Sequence, residues 1–575
     1  MVFQPLYAPH GVPLYYDGKP VALTPEQEEI ATLYAQVGDD AIQLRDPKTA
    51  AVFNANFFSF FREALGADSP VRTMDKCDFS AIRAHLEAQR KQRVKTSAEE
   101  KQQQQLRMGY MLVDGNCQKV GNYVIEPPSL FRGRGMHPRM GSVKMRVIPE
   151  QVLLNVDLNM AVPACPMPGH NYESIVCKKD TLWLAKWEDN LGHGKYCGVN
   201  ASCYLKGQND MEKYEIARRL KRFIRKIRST VLRDLKSDDK KEKQLATAIW
   251  IIDKLALRVG NEKSEDEADT VGCCSLRVEH LSFADDCTLT LDFLAKDSMP
   301  YHQTIQLDQY EGGKLVFKNL KSFCKAKSPK DDVFDLLSTS SLNARLTQFM
   351  PGLTAKVFRT YNASVTLEEQ LHSTYPAGTS VEEMVLQYND ANREVAILCN
   401  HQRSLPKNWD QTNAKKRGQI ELLQRQTDEL RQMLRDVRAQ KPVELLPEAY
   451  WAPVKKEEVP EDASEEERKQ IKEKHDERVA ERAQYLHLFK SQPTEAQVEK
   501  RLEAYSKRLA DGELKLRDME SNKLVALGTS KINYMDPRIT VAWCKRNEVP
   551  IEKIFAKTLR TRHNWAMCVP ESYRF

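Results

Sequence analysis

The sequence lacks long apolar runs and lacks a dominant charge of either sign. No stretch among its 575 residues approaches the roughly 20 uninterrupted apolar residues of a membrane helix. The opening residues also lack the charged, apolar and small-residue order of a signal peptide. We therefore expect an intracellular protein with no membrane partner. The 87 basic and 80 acidic residues leave a net charge of +7, which by itself identifies no partner.

The patterns of a metal centre and of a nucleotide-binding loop are missing as well. The adjacent Cys273 and Cys274 cannot supply a Cys-x-x-Cys pair, and Cys399 with His401 has no partner pair in ligand spacing. A chain of this length needs no disulfide staples, so its thirteen scattered cysteines are expected to be reduced thiols. With no acidic cluster for magnesium and no GxxxxGK[ST] loop, we expect no required cofactor, neither metal nor ATP.

The length suffices for about three or four domains. The first two hundred residues mix short apolar runs with Pro and Gly turns, a pattern typical of interspersed helices and strands. Within them, "LTPEQEEIATLYAQV" predicts a helix with Thr24 as N-cap, Pro25 at the first position and Gln27 completing a capping box. We expect a lobe of mixed α and β structure.

A strongly basic helix is predicted from about Met211 to Lys236. One face is apolar and comprises Leu220, Ile224, Ile227, Val231 and Leu235. The other face carries Arg218, Arg219, Lys221, Arg222, Arg225, Lys226 and Arg228. The basic residues have few acidic partners at helical spacing, so a solvated face and a phosphate-facing surface both remain open.

"CTLTLDFLAKDSMPYHQTIQL" alternates apolar and polar residues on both sides of "AKDS". This pattern predicts a β-hairpin with Lys296 near its tip.

Two heptad arms follow His401. The first runs from Ile420 to Val437 and the second from Val498 to Met519. Between them, four prolines forbid a continuous helix until Ser464 and Glu467 can cap a new one; they are Pro442, Pro447, Pro453 and Pro460. We expect an antiparallel coiled-coil hairpin with an irregular tip. Its charges nearly cancel, so the basic excess lies in the flanking parts of the chain.

Several segments resemble, in order, those of eukaryotic type IB DNA topoisomerases: "LALRVGNEK", "FLAKDSMPY", "AKVFRTYNAS", "ANREVAILCNHQR" and "LGTSKINYMDPRITVAWCK". "EPPSLFRGRGMHPRMG" resembles the upstream DNA-contacting segment of that family. The resemblance implies an α+β multi-domain protein, a bi-lobed DNA clamp. Its expected parts are a mixed α/β cap lobe (1–203), a mainly helical catalytic lobe (204–404), a coiled-coil linker (405–522) and a small helical C-terminal domain (523–575).

The resemblance also implies an active site made of five side chains, namely Arg258, Lys296, Arg359, His401 and Tyr534. The chemistry suits these residue types. Arginine stays cationic and holds phosphate bidentately, which fits the charge that develops on a phosphoryl group under attack, and the histidine is implied to be a further donor. The lysine is expected to protonate the 5′ leaving oxygen. The tyrosine, whose ordinary pKa is about 10, is the expected nucleophile.

Further residues are expected to contact duplex DNA: Arg132, Arg134, His137, Arg139, Lys213, Arg218, Arg219, Lys531 and Asn533. Taken alone, "RGRGMHPR" also fits a Gly-rich surface turn. Because most contacts are expected to reach phosphates, sequence preference should be weak. By the resemblance, Arg134 reaches the minor groove, and Arg134, Asp297 and Asn533 line a pocket for camptothecin-like inhibitors. A monomer is expected.

The expected reaction is single-strand cleavage through a 3′-phosphotyrosyl intermediate, swivelling that relaxes positive and negative supercoils, and religation. Two alternatives remain, a tyrosine recombinase and a non-catalytic architectural DNA-binding protein. Many family members begin with a long charged extension that carries nuclear targeting signals, whereas here the family-like core begins within a few residues of Met1. A nuclear location is expected, with a mitochondrial form left open.

Overall fold

The computed structural model describes residues 1–38, 41–93, 96–261, 263, 267–371, 375–406, 408–455 and 465–575. The chain forms two compact units, one of Met1–Asn362 with Phe555–Val569 and one of Ala363–Ile554 with Pro570–Phe575. Many helices and several small sheets confirm the predicted α+β multi-domain class. In the part of the chain just given, no helix is long and apolar enough to cross a membrane. All thirteen cysteines are described, and they are thiols as expected.

The strands are short and belong to the first unit. In chain order they are β1 (Leu14–Tyr16), β2 (Lys19–Val21), β3 (Cys77–Asp78), β4 (Tyr110–Val113), β5 (Asn116–Lys119), β6 (Ser129–Leu130), β7 (Val143–Lys144), β8 (Leu153–Asn155), β9 (Ser174–Val176), β10 (Trp183–Glu188), β11 (Gly194–Gly198), β12 (Leu281–Phe283), β13 (Thr288–Ala295) and β14 (Met299–Gln306). They form sheets in the orders β2-β1-β3, β11-β10-β8-β9 and β12-β13-β14, and the pairs β4-β5 and β6-β7. Neighbouring strands are antiparallel except β8 and β9.

Helices make up most of the remaining structure. In chain order they are α1 (Pro25–Ala35), α2 (Ile42–Arg45), α3 (Pro47–Leu65), α4 (Ser80–Gln92), α5 (Ala98–Met108), α6 (Tyr204–Asp234), α7 (Lys240–Leu255), α8 (Gly313–Cys324), α9 (Thr339–Phe349), α10 (Ala355–Gln370), α11 (Val381–Leu398), α12 (Trp409–Arg438), α13 (Glu465–Ala483), α14 (Glu495–Ser521), α15 (Leu527–Asn533), α16 (Pro537–Arg546) and α17 (Lys557–Arg562). Helix α10 begins in the first unit and ends in the second.

Helix α1 has the predicted N-terminus. Gln27 N donates to Thr24 Oγ1 at 3.4 Å, and Thr24 N donates to Gln27 Oε1 at 2.9 Å, which completes the capping box. The helix packs its Tyr34 against Phe57 of α3 at 4.5 Å between ring centroids. The sequence prediction for this helix is confirmed.

Helix α6 begins at Tyr204, ahead of the predicted Met211, and buries the predicted apolar face. One basic residue differs from the prediction. Arg228 is half-buried and donates to both carboxylate oxygens of Asp253 on α7, at 2.8 and 3.0 Å. It therefore belongs to the packed side of the helix, because a long side chain beside the apolar stripe can reach a carboxylate on the neighbouring helix.

The two heptad arms form α12 and α14, which pair antiparallel. Arg438 near the end of α12 bonds Glu495 at the start of α14 at 2.6 Å, and Arg417 near the start of α12 bonds Glu520 near the end of α14 at 2.6 Å. Leu430 and Val498 are fully buried in the cluster between them. Helix α13 precedes α14, while Pro460 and Ser464 of the predicted tip lie outside the described residues.

Candidate active site

Arg359 and Arg258 lie in the first unit and are connected through the end of α7. That helix ends at Ala256 in the left-handed conformation, with φ of 49°. Arg359 on α10 is 4% exposed, and its Nη1 donates to the carbonyl oxygen of Ala256. The guanidinium of one predicted catalytic arginine thus fixes the turn that leads, two residues later, to the other, the half-buried Arg258.

The backbone around Arg258 is also held from the segment that follows it. Cys273 N donates to Arg258 O at 2.8 Å, and Cys274 N donates to Val259 O at 2.6 Å. Gly260 and Gly272 meet here so closely that a Cβ on either would collide with the backbone of the other. Glycine is required at this crossing, which keeps the Arg258 segment in one path.

Lys296 lies at the tip of the β13-β14 hairpin, as predicted. It is exposed, and the turn continues through Asp297 and Ser298 in left-handed conformations, with φ of 66° and 55°. Further along β14, burial raises the pKa of the Tyr301 phenol, and the charge of Arg359 opposes that rise. The hairpin therefore connects Tyr301, which senses the charge of Arg359, to the exposed Lys296 at its tip.

Arg134 contacts the tip of this hairpin. Its Nη1 lies 2.8 Å from Asp297 Oδ1, and Ser298 Oγ donates to the Arg134 carbonyl oxygen at 3.3 Å. Gly135 has φ of +58°, and a Cβ there would lie 2.7 Å from Ser298 Oγ. Two residues of the predicted inhibitor pocket, Arg134 and Asp297, are thus direct neighbours.

The other residues of the "RGRGMHPR" loop divide into exposed and packed ones. Arg132 is exposed, whereas His137 is half-buried with its ring 4.7 Å from that of Phe131. Burial and the neighbouring His193 lower the pKa of His137, which disfavours the charged form of the imidazole. Arg139 donates to the carbonyl oxygen of Leu191 and so secures the end of the loop.

His401 lies in the second unit, just beyond the end of α11. Asn400 takes the left-handed conformation, with φ of 50°, and His401 N donates to Ala396 O at 2.8 Å. On its other side, the His401 carbonyl accepts from Ala526 N at 2.8 Å. The backbone of the histidine is thereby attached to the residue that immediately precedes α15.

Tyr534 follows α15 and stacks on His401. The two ring centroids are 5.2 Å apart with an interplanar angle of 29°, and the residues are 5% (His401) and 8% (Tyr534) exposed. His401 Nδ1 lies 2.7 Å from the hydroxyl of Ser530, one turn before Tyr534. The predicted nucleophile and the predicted histidine are therefore brought together within one unit.

Two buried polar groups hold the backbone on either side of Tyr534. Ser364 Oγ donates to the Tyr534 carbonyl at 3.3 Å and accepts from Asp536 N at 3.1 Å. Asp536 is fully buried and caps α16, whose first residue is Pro537. The sequence interpretation overlooked Ser364 and Ser530, because no composition signal distinguishes a buried serine from a surface one.

The remaining predicted DNA contacts have varied surroundings. Arg218, Arg219 and Asn533 are exposed. The Lys531 ammonium lies 5.4 Å from the Tyr388 ring centroid, and burial lowers its pKa against the opposing charge of Asp518. Lys213 has a similarly close partner, since its ammonium lies 3.0 Å from an Asp210 oxygen. The role of all five in DNA contact stays a prediction.

Three family models match the chain. They are "Eukaryotic DNA topoisomerase I, DNA binding fragment" over residues 1–198, "Eukaryotic DNA topoisomerase I, catalytic core" over residues 202–434, and "C-terminal topoisomerase domain" over residues 506–575. Together they span most of the chain and leave residues 435–505 between the second and third matches.

Curated relatives match along the whole length. "DNA topoisomerase I, mitochondrial" of Rattus norvegicus is 42% identical over 98% of this chain and 89% of its own length. The protein of the same name from Homo sapiens is 40% identical over 100% of this chain and 89% of its own length. "DNA topoisomerase 1 beta" of Arabidopsis thaliana is 40% identical over 100% of this chain and 58% of its own length.

These matches define a DNA-binding isomerase, with DNA as its partner. The chain belongs to the eukaryotic DNA topoisomerase I family, of type IB.

Proposed function

We propose that this chain relaxes supercoiled duplex DNA by cutting one strand, allowing it to swivel, and resealing it. The observation that carries the proposal is the stacking of the Tyr534 phenol ring on the imidazole of His401. Both residues are buried, and the imidazole is hydrogen-bonded to Ser530. Family membership supports the same activity.

The proposed chemistry is a pair of transesterifications. The Tyr534 hydroxyl gives its proton to a water molecule, and its oxygen attacks the phosphorus and forms a 3′-phosphotyrosyl bond while the bond from phosphorus to the 5′ oxygen breaks. Lys296 gives its proton to that leaving oxygen, and Arg258, Arg359 and His401 donate to the non-bridging oxygens on which negative charge develops. The free 5′ hydroxyl then returns its proton to Lys296 and attacks the phosphorus, while the bond from phosphorus to the Tyr534 oxygen breaks and that oxygen regains a proton from water.

This cycle conserves the energy of the phosphodiester in the protein-DNA bond. No external energy source is needed for resealing, so the proposed reaction requires neither ATP nor a metal ion. The exposed Lys296, on a hairpin tip, suits delivery of a proton to a bound substrate, and the buried Arg359 suits a fixed electrostatic role.

Other parts of the prediction are proposals of the same kind. The exposed Arg132, Arg134, Arg218 and Arg219 suit contacts to DNA phosphates or the minor groove. The adjoining Arg134 and Asp297, together with Asn533, would form a pocket for camptothecin-like inhibitors at the cleaved site. We further propose a monomer in the nucleus, although the rat and human relatives named above are mitochondrial.

The test is relaxation of a supercoiled plasmid in EDTA without ATP. We expect both positively and negatively supercoiled plasmids to be relaxed through covalent intermediates. Absence of relaxation with either sign contradicts the proposal. Exchange of strands between two defined duplexes would instead support a recombinase, and unchanged behaviour of Tyr534→Phe in every assay would support an architectural DNA-binding protein.

A further inference from the structure

We propose that Ser530 is a positioning residue that keeps a proton on Nε2 of His401, an inference that rests on the proposed function. The distance from Ser530 Oγ to His401 Nδ1 is 2.7 Å, and the two residues are 0% and 5% exposed. A hydrogen bond this short and this buried fixes the plane of the imidazole.

The hydroxyl can serve both charge states of the imidazole. A neutral imidazole has one nitrogen that donates and one that accepts, whereas an imidazolium donates from both. Ser530 donates to Nδ1 when the ring is neutral and accepts from Nδ1 when the ring is protonated. In either case Nε2 carries a hydrogen, and this is the donor that the proposed role of His401 at a phosphate oxygen requires.

Ser530 is itself fixed by the segment that carries the nucleophile. Its carbonyl oxygen accepts from Tyr534 N at 3.0 Å and from Met535 N at 3.1 Å. The Tyr534 ring covers one face of the imidazole, and Ala526 N binds the His401 carbonyl at 2.8 Å. One short segment, from Ala526 to Tyr534, therefore orients the histidine and presents the tyrosine.

Most of the charged groups on the surrounding elements have described contacts elsewhere. Lys531 of α15 lies over the Tyr388 ring, and Arg403, which follows His401, donates to the carbonyl oxygens of Asn522 and Lys523. Near the end of α11, Arg393 bonds Asp390 at 2.6 Å, and the next residue is Glu394. The titratable group stacked on the imidazole is the Tyr534 phenol.

The first test compares single-turnover DNA cleavage by wild type and Ser530→Ala at two pH values. At about pH 8.5, above the ordinary histidine pKa of about 6.5, we expect Ser530→Ala to be about ten-fold slower, because the neutral ring loses its fixed tautomer. At a pH low enough that the ¹⁵N signals of His401 show an imidazolium, both ring nitrogens carry a hydrogen, and we expect rates within about two-fold. Ser530→Thr, which retains the hydroxyl, should recover most of the loss. An equal loss at both pH values overturns the proposal.

The second test is a double-mutant cycle with His401→Ala. If Ser530 acts through the imidazole, adding Ser530→Ala to His401→Ala slows cleavage by less than about two-fold more. A serine that only supports the fold would slow cleavage by the same factor with and without the imidazole, and that result overturns the proposal. Ser364→Ala is the matched comparison, since it removes another buried hydroxyl beside Tyr534 but one that binds backbone rather than His401.

A third measurement needs no DNA chemistry. In the full chain labelled with ¹⁵N-histidine, the His401 signals are assigned by their loss in His401→Asn. At about pH 8.5 we expect the hydrogen on Nε2 in wild type and a mixture of tautomers in Ser530→Ala. A hydrogen on Nδ1 in wild type overturns the inference. If wild type shows the expected tautomer yet forms no covalent DNA adduct, the proposed function fails while the assignment of Ser530 stands.

Discussion

Lys296 and Tyr534, the proposed proton donor and the proposed nucleophile, are held in opposite ways. In the first unit, Lys296 is exposed on a hairpin tip and is positioned by the backbone of a turn with left-handed residues. In the second unit, Tyr534 is 8% exposed and is surrounded by buried hydroxyl and carboxylate groups. A proton donor must be able to reach a substrate oxygen, whereas a nucleophile must be held in the orientation from which it attacks the phosphorus. The comparison indicates that the lysine is positioned by the backbone of its turn and the tyrosine by the buried groups around it.

The largest expected effect is at Tyr534, the proposed nucleophile. Tyr534→Phe removes the attacking oxygen and should lower plasmid relaxation by about 10⁴-fold or more while DNA binding is retained. Tyr485→Phe is the matched control and should leave relaxation unchanged. Tyr485 packs on Tyr450 in the segment between α12 and α14, with ring centroids 4.9 Å apart. Residual covalent adduct in Tyr534→Phe would mean that another residue is the nucleophile.

The exposed lysine should behave differently. Lys296→Ala should slow cleavage of an ordinary phosphodiester by about 10²- to 10⁴-fold, the usual contribution of a general acid. A 5′-bridging phosphorothiolate substrate, whose sulfur leaves without a proton, should restore the rate. His401→Ala serves as control, since loss of a phosphate donor should slow both substrates. Failure of the sulfur substrate to rescue Lys296→Ala would remove the general-acid role.

Arg258 and Arg359 should have similar effects on the cleavage rate but different effects on thermal stability. Replacing either by lysine removes bidentate donation and should slow cleavage by about 10²- to 10³-fold. Only Arg359→Lys should also lower the thermal midpoint, because Arg359 is 4% exposed and its guanidinium binds the Ala256 carbonyl. Arg258 is only half-buried, so its replacement should disturb the fold less. Equal thermal midpoints for the two variants would show that the Arg359 contact does not stabilise the turn.

A smaller effect is expected where the first unit incorporates the C-terminal residues 555–569. Asp210 on α6 binds Arg562 at 2.6 Å and His563 at 3.3 Å. Burial alone would raise the pKa of Asp210, but these partners and Lys213 outweigh it and lower the pKa. Asp210→Asn should therefore lower the free energy of unfolding by about 3 kcal/mol at neutral pH.

The pH dependence of that loss has a definite sign. A carboxylate whose pKa is lowered in the folded protein stabilises the fold above its unfolded value of about 3.9, and this stabilisation disappears as the pH falls through the folded value. The difference between wild type and Asp210→Asn should shrink below about pH 4, measured by urea unfolding. A difference that stays constant from neutral pH to about pH 3 would contradict the charge-based account.

The sequence predicted much of the local structure correctly. The cap of α1, the apolar face of α6 and the hairpin carrying Lys296 all follow from short-range patterns of side-chain size and hydrogen bonding. Contacts distant in the sequence were not predictable in this way. Arg228 looked like part of a basic surface until Asp253 on the next helix proved to be its partner.

In the candidate site, too, short-range motifs were predictable and contacts distant in the sequence were not. The five candidate catalytic residues were predicted from their motifs, whereas the groups that orient them were not. Ser364 is 170 residues from Tyr534, and Ser530 is 129 residues from His401, so only the folded chain brings each hydroxyl to its partner. Residue types within a motif indicate the possible chemistry. The buried hydrogen bonds that orient those side chains depend on tertiary packing and cannot be read from the motif.

The most direct test of the central claim is to identify the residue that becomes joined to DNA. The protein is incubated in EDTA with a DNA substrate that traps the cleaved state, digested, and examined by mass spectrometry. The account predicts a peptide containing Tyr534 whose oxygen carries the 3′-phosphate of the cut strand. A link to any other residue, or to a 5′-phosphate, would contradict it.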